Sequence, residues 1–403
     1  MKFTSFFTET QYKDRTVYKL VDKSLSKKFI EMNNEIVNKY SINIQNRNAI
    51  IKSLIQFLSQ GTIYENQYDV TATKQSFYII KTDICNFFPS IDKHRLYQKL
   101  VRSSMLSNST LTIIKSFIFN SKISGIPLGM SFSNSLAEIY LEEFDDIVRQ
   151  ELDPIFYVRY VDDIVIIKHS SERNNVINND KNKLFELLHN IGLSANKQKT
   201  DIYKYNNNNI DFDFLGYNFQ IKNEKLVIDI SEEKFKKKIL NKLIRCFKNY
   251  YSSNKNDSDF WILYYRLKNL IYGVTSKGEN GEESILKFGI AFSYKFINSD
   301  IIIKRFLKTF HYYRKKYSSY FTSYQNAMIF SLITVEKNLI LNENSNPEHI
   351  LLLLQKRINY TRMSEKKLNK ISQQIGCNNI KVTMNGLDKY NLQVQIMKKL
   401  RLK

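Results

Sequence analysis

Apolar residues recur at helical spacing over residues 16–60, as in Ile50, Ile51, Leu54, Ile55, Phe57 and Leu58, and the pattern stops at Gly61. This predicts an N-terminal helical layer. The middle of the chain changes period. FYIIKTDI (77–84) and FYVRYVDDIVII (156–167) are β-branched and aromatic runs, and the stretch between them carries a helical stripe of Leu136, Tyr140, Phe144 and Val148. A second helical pattern, Lys181 to Ile191, leads to DFDFLGYNFQ (211–220), which reads as another pair of strands. Beyond residue 230 helical periodicity takes over. Phe235, Ile239, Leu243 and Phe247 oppose Lys236, Lys237, Lys238, Lys242, Arg245 and Lys248. Two polar breaks, at 252–259 and 275–283, divide this last part.

The pattern predicts an α+β unit over residues 1–230 and an all-α region over 231–403. Composition makes both foldable, since 43% of the 403 residues are hydrophobic and 13% aromatic. No apolar run is long enough to span a bilayer, and the N-terminus has no signal-peptide pattern, so a cytoplasmic protein with no membrane partner is expected. Cys85, Cys246 and Cys377 are scattered, which argues against both structural zinc and a disulfide framework.

Charge adds a partner. The formal net charge is +22, and residues 231–403 hold 32 Lys and Arg against 13 Asp and Glu, so nearly all the excess lies after the predicted boundary. Such clustering favours a polyanion, and nucleic acid above a membrane surface. Lys236, Lys237, Lys238, Arg314, Lys315 and Lys316 are the candidate RNA-binding residues. The aromatic stripe Phe306, Phe310, Tyr313 and Tyr317 is interleaved with basic residues and at helical spacing reads first as core.

Two charged features interrupt the apolar strands. One strand delivers Asp83 at its C-terminal end, and the paired Asp162 and Asp163 split the other. An Asp-Asp pair alone suits a surface hairpin. Three converging carboxylates, however, cannot all stay ionised without cations between them. Two magnesium ions, with manganese as a substitute, would resolve the repulsion and support in-line phosphoryl transfer.

Here the chain resembles a known family. Tyr160-Val161-Asp162-Asp163 is similar to the YxDD box of reverse transcriptases, and Asp83 stands where that family has its first palm aspartate, followed by the paired aromatics Phe87 and Phe88. Ser124 to Gly129 resembles the family's glycine-proline-glycine turn, Asn196 to Thr200 its asparagine-lysine-threonine segment, and Phe214-Leu215-Gly216-Tyr217 its primer-grip hairpin. The resemblance implies a right-hand polymerase, with fingers and palm followed by a basic thumb. It implies catalytic Asp83, Asp162 and Asp163, metal ligation by these and the Ile84 carbonyl, and nucleotide contacts from Ile84, Phe88, Gly129 and Lys199. Phe88 would be the steric gate against ribonucleotides and Lys199 would stand near the leaving pyrophosphate. Leu128 departs from the pattern, because many relatives carry glutamine there.

Within the family, the segments YYRLKNLIYG (264–273) and ILKFGIAFSY (285–294) look most like bacterial defence-associated enzymes of the abortive-infection and unknown-group type. That implies a co-encoded non-coding RNA as template, deoxynucleoside triphosphates as substrates and a cDNA product. A homo-oligomer or a second protein subunit is also compatible. Two alternatives stay open: a retron or group II intron-like enzyme, and a non-catalytic RNA-binding subunit built on the same scaffold.

Overall fold

A computed structural model describes residues 23–42, 46–59, 69–130, 132–170, 174–206, 209–279, 284–377 and 386–402. The helix end expected at Gly61 lies outside them. The chain forms two compact units: residues 1–53 with 74–208, and residues 54–73 with 209–403.

In the first unit, α1 (Lys23–Lys39) and the start of α2 (Arg47–Leu58) precede β1 (Phe77–Asp83). A short turn of helix, α3 (Phe87–Ser90), then leads into α4 (Lys93–Ser103), α5 (Asn108–Ile118) and α6 (Ser133–Leu152). The hairpin of β2 (Phe156–Tyr160) and β3 (Asp163–His169) follows, then α7 (Asn174–Asn190) and β4 (Asp201–Tyr205). Two of the helix starts have a side-chain cap. Asp92 accepts from the His94 and Arg95 N–H groups to cap α4, and Ser107 accepts from the Thr110 N–H to cap α5.

The four strands form one sheet in the order β2-β3-β1-β4, and β1 pairs antiparallel with both of its neighbours. Tyr78 and Ile80 of β1 and Ile164 and Ile166 of β3 face a common core with the predicted α6 stripe, Leu136, Tyr140, Phe144 and Val148. The stripe is buried because its near-fourfold spacing keeps one helix face against the sheet. Polar anchors lie at its margin: the Tyr140 hydroxyl donates to the Ile191 carbonyl, and the Tyr78 hydroxyl to Asp180, which also pairs with Lys168 at 3.0 Å.

The second unit opens on the antiparallel sheet β5 (Ile210–Phe214), β6 (Tyr217–Lys222) and β7 (Lys225–Ile230). Its turns, Leu215-Gly216 and Asn223-Glu224, hold positive φ at both residues, the geometry that suits the twist of a tight hairpin. The outer edge of β7 is taken at its start by Val70 and Thr71 and beyond that by residues further along the chain. Asn298 and Ser299 donate backbone N–H groups to the Ile228 carbonyl, and the Asn298 side chain bonds both the Ile228 N–H and the Leu226 carbonyl. These bonds tie the hairpin sheet to the C-terminal residues.

Helical segments dominate after residue 230, including α8 (Asn241–Tyr251), α9 (Asp257–Ile271), α10 (Ile301–Lys316), α11 (Glu365–Gln374) and α12 (Gly386–Leu400). The predicted stripe Phe235, Ile239, Leu243 and Phe247 is buried throughout. A strict four-residue spacing overruns an α-helix by about 40° per step, and the wider π-turn at Phe235–Leu240 absorbs part of that drift. Phe306 and Phe310 of the aromatic stripe are core residues, and Tyr313 stacks on Phe247 with ring centres 6.0 Å apart.

The expected all-α character of this region needs correcting at two sheets, of which one pairs the two-residue strands Thr334–Val335 and Leu339–Ile340. β8 (Gly273–Lys277) and β9 (Ile285–Phe288) form a hairpin, and a third strand, β10 (Arg357–Asn359), adds to β8 in parallel. Of the polar break read at 275–283, residues 275–277 belong to β8 and residues 280–283 lie outside the described residues. The hairpin strands are too short to show alternation above the surrounding helical signal.

Candidate active site

Asp83 ends β1 directly opposite Asp163, the first residue of β3. Tyr160 pairs with the same Asp163 across the β2–β3 hairpin, which leaves Val161 and Asp162 as a two-residue turn. Val161 holds φ at 60°, a left-handed conformation that a β-branched side chain resists at a cost of about 1–3 kcal/mol. Something must hold it there. Ile84 donates its N–H to the Asp162 carbonyl at 3.0 Å, and Arg159 donates to the Val161 carbonyl at 3.1 Å. The strained turn therefore presents Asp162 beside the end of β1.

The carboxylates meet a single ammonium. Lys199 lies 2.7 Å from Asp83 Oδ2, with 68% of its own side chain exposed against 14% for Asp83. Burial and the neighbouring Asp83 charge lift the Asp162 carboxyl above its ordinary pKa. The hydrogen bond to Asp83 and the charges of all three aspartates raise Lys199 in turn. Asp83 Oδ1 is buried and accepts no hydrogen bond from the described residues. A buried anionic oxygen without a donor is costly, so this atom fits a cation. Asp83 and Asp162 fit as the principal ligands. No group of three or more candidate ligands stands preassembled among the described residues.

The segment Asn196–Thr200 is folded to deliver Lys199. Asn196 accepts from the Gln198 N–H with its side chain, capping the short turn Lys197–Lys199, and gives its own N–H to the Asp83 carbonyl at 2.8 Å. The Cys85 N–H bonds the Ser194 carbonyl at 2.8 Å on the other side of Ile84, so this bridge leaves the Ile84 carbonyl out of the ladder. Thr200 joins Thr82 through a hydroxyl contact of 2.7 Å.

Phe88 is partly buried and packs edge-on against buried Phe87, ring centres 5.3 Å apart. Its carbonyl receives the Ile126 N–H at 3.0 Å, and a Cβ on Gly125 would lie 2.0 Å from that carbonyl oxygen. Glycine is required there, and it locks the Ser124–Gly129 segment to Phe88. Gly129, with φ at 85°, has open space where a side chain would stand, and Leu128 beside it is 53% exposed.

Sequence reasoning missed the support behind the turn. Arg159 is only 4% exposed and is held by Glu138 at 2.6 Å and Asp145 at 2.8 Å, both on α6. The Tyr157 hydroxyl also donates to Asp145 at 2.6 Å. Burial disfavours the charge on Arg159, yet hydrogen bonds to Asp145 and Glu138 outweigh it and raise the pKa. Asp145 is thus a half-buried ion-pair partner, while Asp146 pairs with Arg149 on the surface. The available signal was an arginine inside an apolar strand.

The basic candidates of the second unit are placed unequally. Lys236, Lys237 and Lys238 are exposed on one helical run, where Glu232 holds Lys236 at 2.9 Å and Glu233 holds Lys237 at 3.1 Å. Lys315 and Lys316 are exposed at the end of α10, whereas Arg314 lies 4.1 Å above the Phe330 ring and bonds Asn326.

Comparison with known proteins adds a family. The family described as reverse transcriptase (RNA-dependent DNA polymerase) matches residues 12–219. No curated protein matches the chain. Among solved structures, telomerase from Candida albicans in complex with a TWJ fragment of telomeric RNA is similar at 13% identity and a TM-score of 0.43, over 91% of this chain and 56% of that one. Apo telomerase from Candida tropicalis is similar at 12% identity and a TM-score of 0.35, over 88% of this chain and 50% of that one. The chain spans about half the length of these telomerase chains.

Proposed function

The chain belongs to the reverse transcriptase family of RNA-dependent DNA polymerases, and on that premise we propose that it copies RNA into DNA with Asp83, Asp162 and Asp163 as its catalytic carboxylates. The observation that carries this reading is the register of β1 on β3, which sets Asp83 opposite Asp163 and against the Asp162 turn. Divalent cations, magnesium or manganese, would activate a primer 3′-hydroxyl there and offset the charge of the transferring phosphate. Asp83 Oδ1, Asp162 and the Ile84 carbonyl would hold them, with Asp163 as a weaker third carboxylate. Lys199, exposed and already in the field of these carboxylates, would stand near the leaving pyrophosphate and donate its proton.

Phe88 and Gly129 would frame the incoming deoxynucleotide, the ring closing the space beneath the sugar and the glycine giving open backbone. Phe88→Ala should let ribonucleotides in, with discrimination falling by about tenfold or more on one template. An active variant with unchanged discrimination would show that the ring only packs on Phe87.

In this reading residues 1–230 act as fingers and palm and residues 231–403 as a basic thumb that holds RNA. Changing Lys236, Lys237, Lys238, Arg314, Lys315 and Lys316 together to Gln should weaken RNA binding and flatten its salt dependence. The slope falls by about one unit for each phosphate that is no longer neutralised. Lys315 and Lys316 should account for more of the change than Lys237, whose charge Glu233 already balances; Glu232 is shared between Lys236 and Arg305. Affinity measured across a salt series decides it, and an unaltered slope would place the RNA elsewhere.

The template is proposed to be a co-encoded non-coding RNA and the role antiviral defence in a bacterial cytoplasm, as the resemblance of residues 264–273 and 285–294 suggests. Sequencing the nucleic acid that copurifies with the protein tests this. One dominant RNA with complementary DNA is expected, and an unselected mixture of cellular RNA would remove the dedicated template. A branched RNA–DNA product would favour the retron reading. The presence of all three aspartates speaks against a purely non-catalytic subunit.

A further inference from the structure

Lys268 on α9 is half-buried and has no carboxylate partner among the described residues. Its ammonium lies 5.5 Å from the ring centre of Tyr264 and 5.7 Å from that of Tyr272. Lys356 approaches the same Tyr272 ring at 5.2 Å and bonds the Thr334 and Ser331 carbonyls. Burial first, and then mutual repulsion, lower the pKa of both: the charge of Lys367 acts on Lys268, and that of Lys268 on Lys356. Cations are thus gathered here with no carboxylate paired to Lys268 or Lys356 among the described residues. Isolated buried charge is costly, which makes this arrangement unfavourable in the empty protein.

Lys268 and Tyr272 border a cavity of about 450 Å³, lined among others by Tyr265, Arg357, Arg362 and Lys367 and by no Asp or Glu. All belong to the second unit. Ser364, which caps the ten-residue helix α11, also reaches the cavity, so the positive end of that helix adds to the field. A carboxylate would neutralise only one of the lining cations Lys268, Arg362 and Lys367. A phosphate carries close to two charges and three acceptor oxygens, suited both to the arginine fork and to the lysine ammonium. The volume exceeds that of one phosphate and falls in the range of small-ligand sites.

We propose that this cavity is a phosphate-binding site, separate from the palm carboxylates, that takes a terminal phosphate of a nucleic-acid strand or the phosphates of a free nucleotide. Lys268 and Lys367 supply point charges, and Arg362, exposed at the rim, supplies paired N–H donors. The site does not depend on the polymerase reading, and its test leaves metal out so that the palm carboxylates do not contribute.

The full chain in EDTA is titrated with inorganic pyrophosphate and with one short single-stranded RNA bearing either a 5′-phosphate or a 5′-hydroxyl. Pyrophosphate should bind and raise the melting temperature. Lys268→Met and Arg362→Gln should each weaken that binding by at least about tenfold, the loss of one charge-assisted hydrogen bond. Lys268→Met should also melt higher than the unchanged protein when no ligand is present, an outcome that a purely structural lysine would reverse. If the 5′-phosphorylated RNA binds better than its 5′-hydroxyl form and displaces pyrophosphate, the natural source is a strand end. If the two RNAs bind alike and pyrophosphate binds through these residues, it is a free nucleotide. Absence of binding by both phosphate probes, or equal binding by the unchanged protein and both variants, would overturn the proposal.

Discussion

Asp83→Asn and Asp162→Asn each lose magnesium-dependent nucleotide incorporation by at least about a thousandfold, while the protein stays folded and keeps its RNA affinity. The activity loss follows from removing one negative ligand of a site worth several kcal/mol to the transition state. Asp163→Asn should be equally or less severe. Folding should be preserved for a separate reason. Lys199, the partner of Asp83, is largely exposed, and a pair of that kind contributes about 1 kcal/mol or less. Loss of the Asp83 charge also relieves Asp162, whose carboxyl is held above its ordinary pKa partly by that charge. Incorporation assays beside thermal melts separate the two effects. Either variant polymerising at the unchanged rate would sink the assignment of the site.

Arg159→Met has the largest expected effect on stability, a loss of about 3–5 kcal/mol, because it strands Glu138 and Asp145 without their shared counter-charge. The Val161 carbonyl loses its donor as well, and the left-handed turn that carries Asp162 is then held by the Ile84 N–H alone of the two bonds described. Arg159→Lys should recover little, since an ammonium cannot reproduce the guanidinium bonds to Glu138, Asp145 and the turn. Adding Glu138→Gln and Asp145→Asn to Arg159→Met should restore much of the stability by removing the orphaned charges. Thermal unfolding followed by far-ultraviolet circular dichroism measures this series. A melting temperature for Arg159→Met equal to that of the unchanged protein would show that the network is not a stabilising anchor.

The sequence by itself determined the features whose physics is local. The α6 stripe, the apolar strands and the Asp162 hairpin follow from periodicity and turn chemistry over a few residues, and each is where the pattern placed it. The family was legible for the same reason, as its motifs are short strings around Asp83, Gly125, Asp162 and Lys199. Only the tertiary structure decided how those strings meet. The register of β1 on β3, the 2.7 Å approach of Lys199 to Asp83 and the burial of Arg159 between Glu138 and Asp145 join residues far apart in the chain. Such pairings are selected by backbone hydrogen bonding and by burial of both partners, which no local window contains. The same limit hid the β8–β9–β10 sheet within a helical, basic region, and it hid the cavity around Lys268. There, charges from separate elements are brought together by packing that the apolar faces drive and the charges oppose.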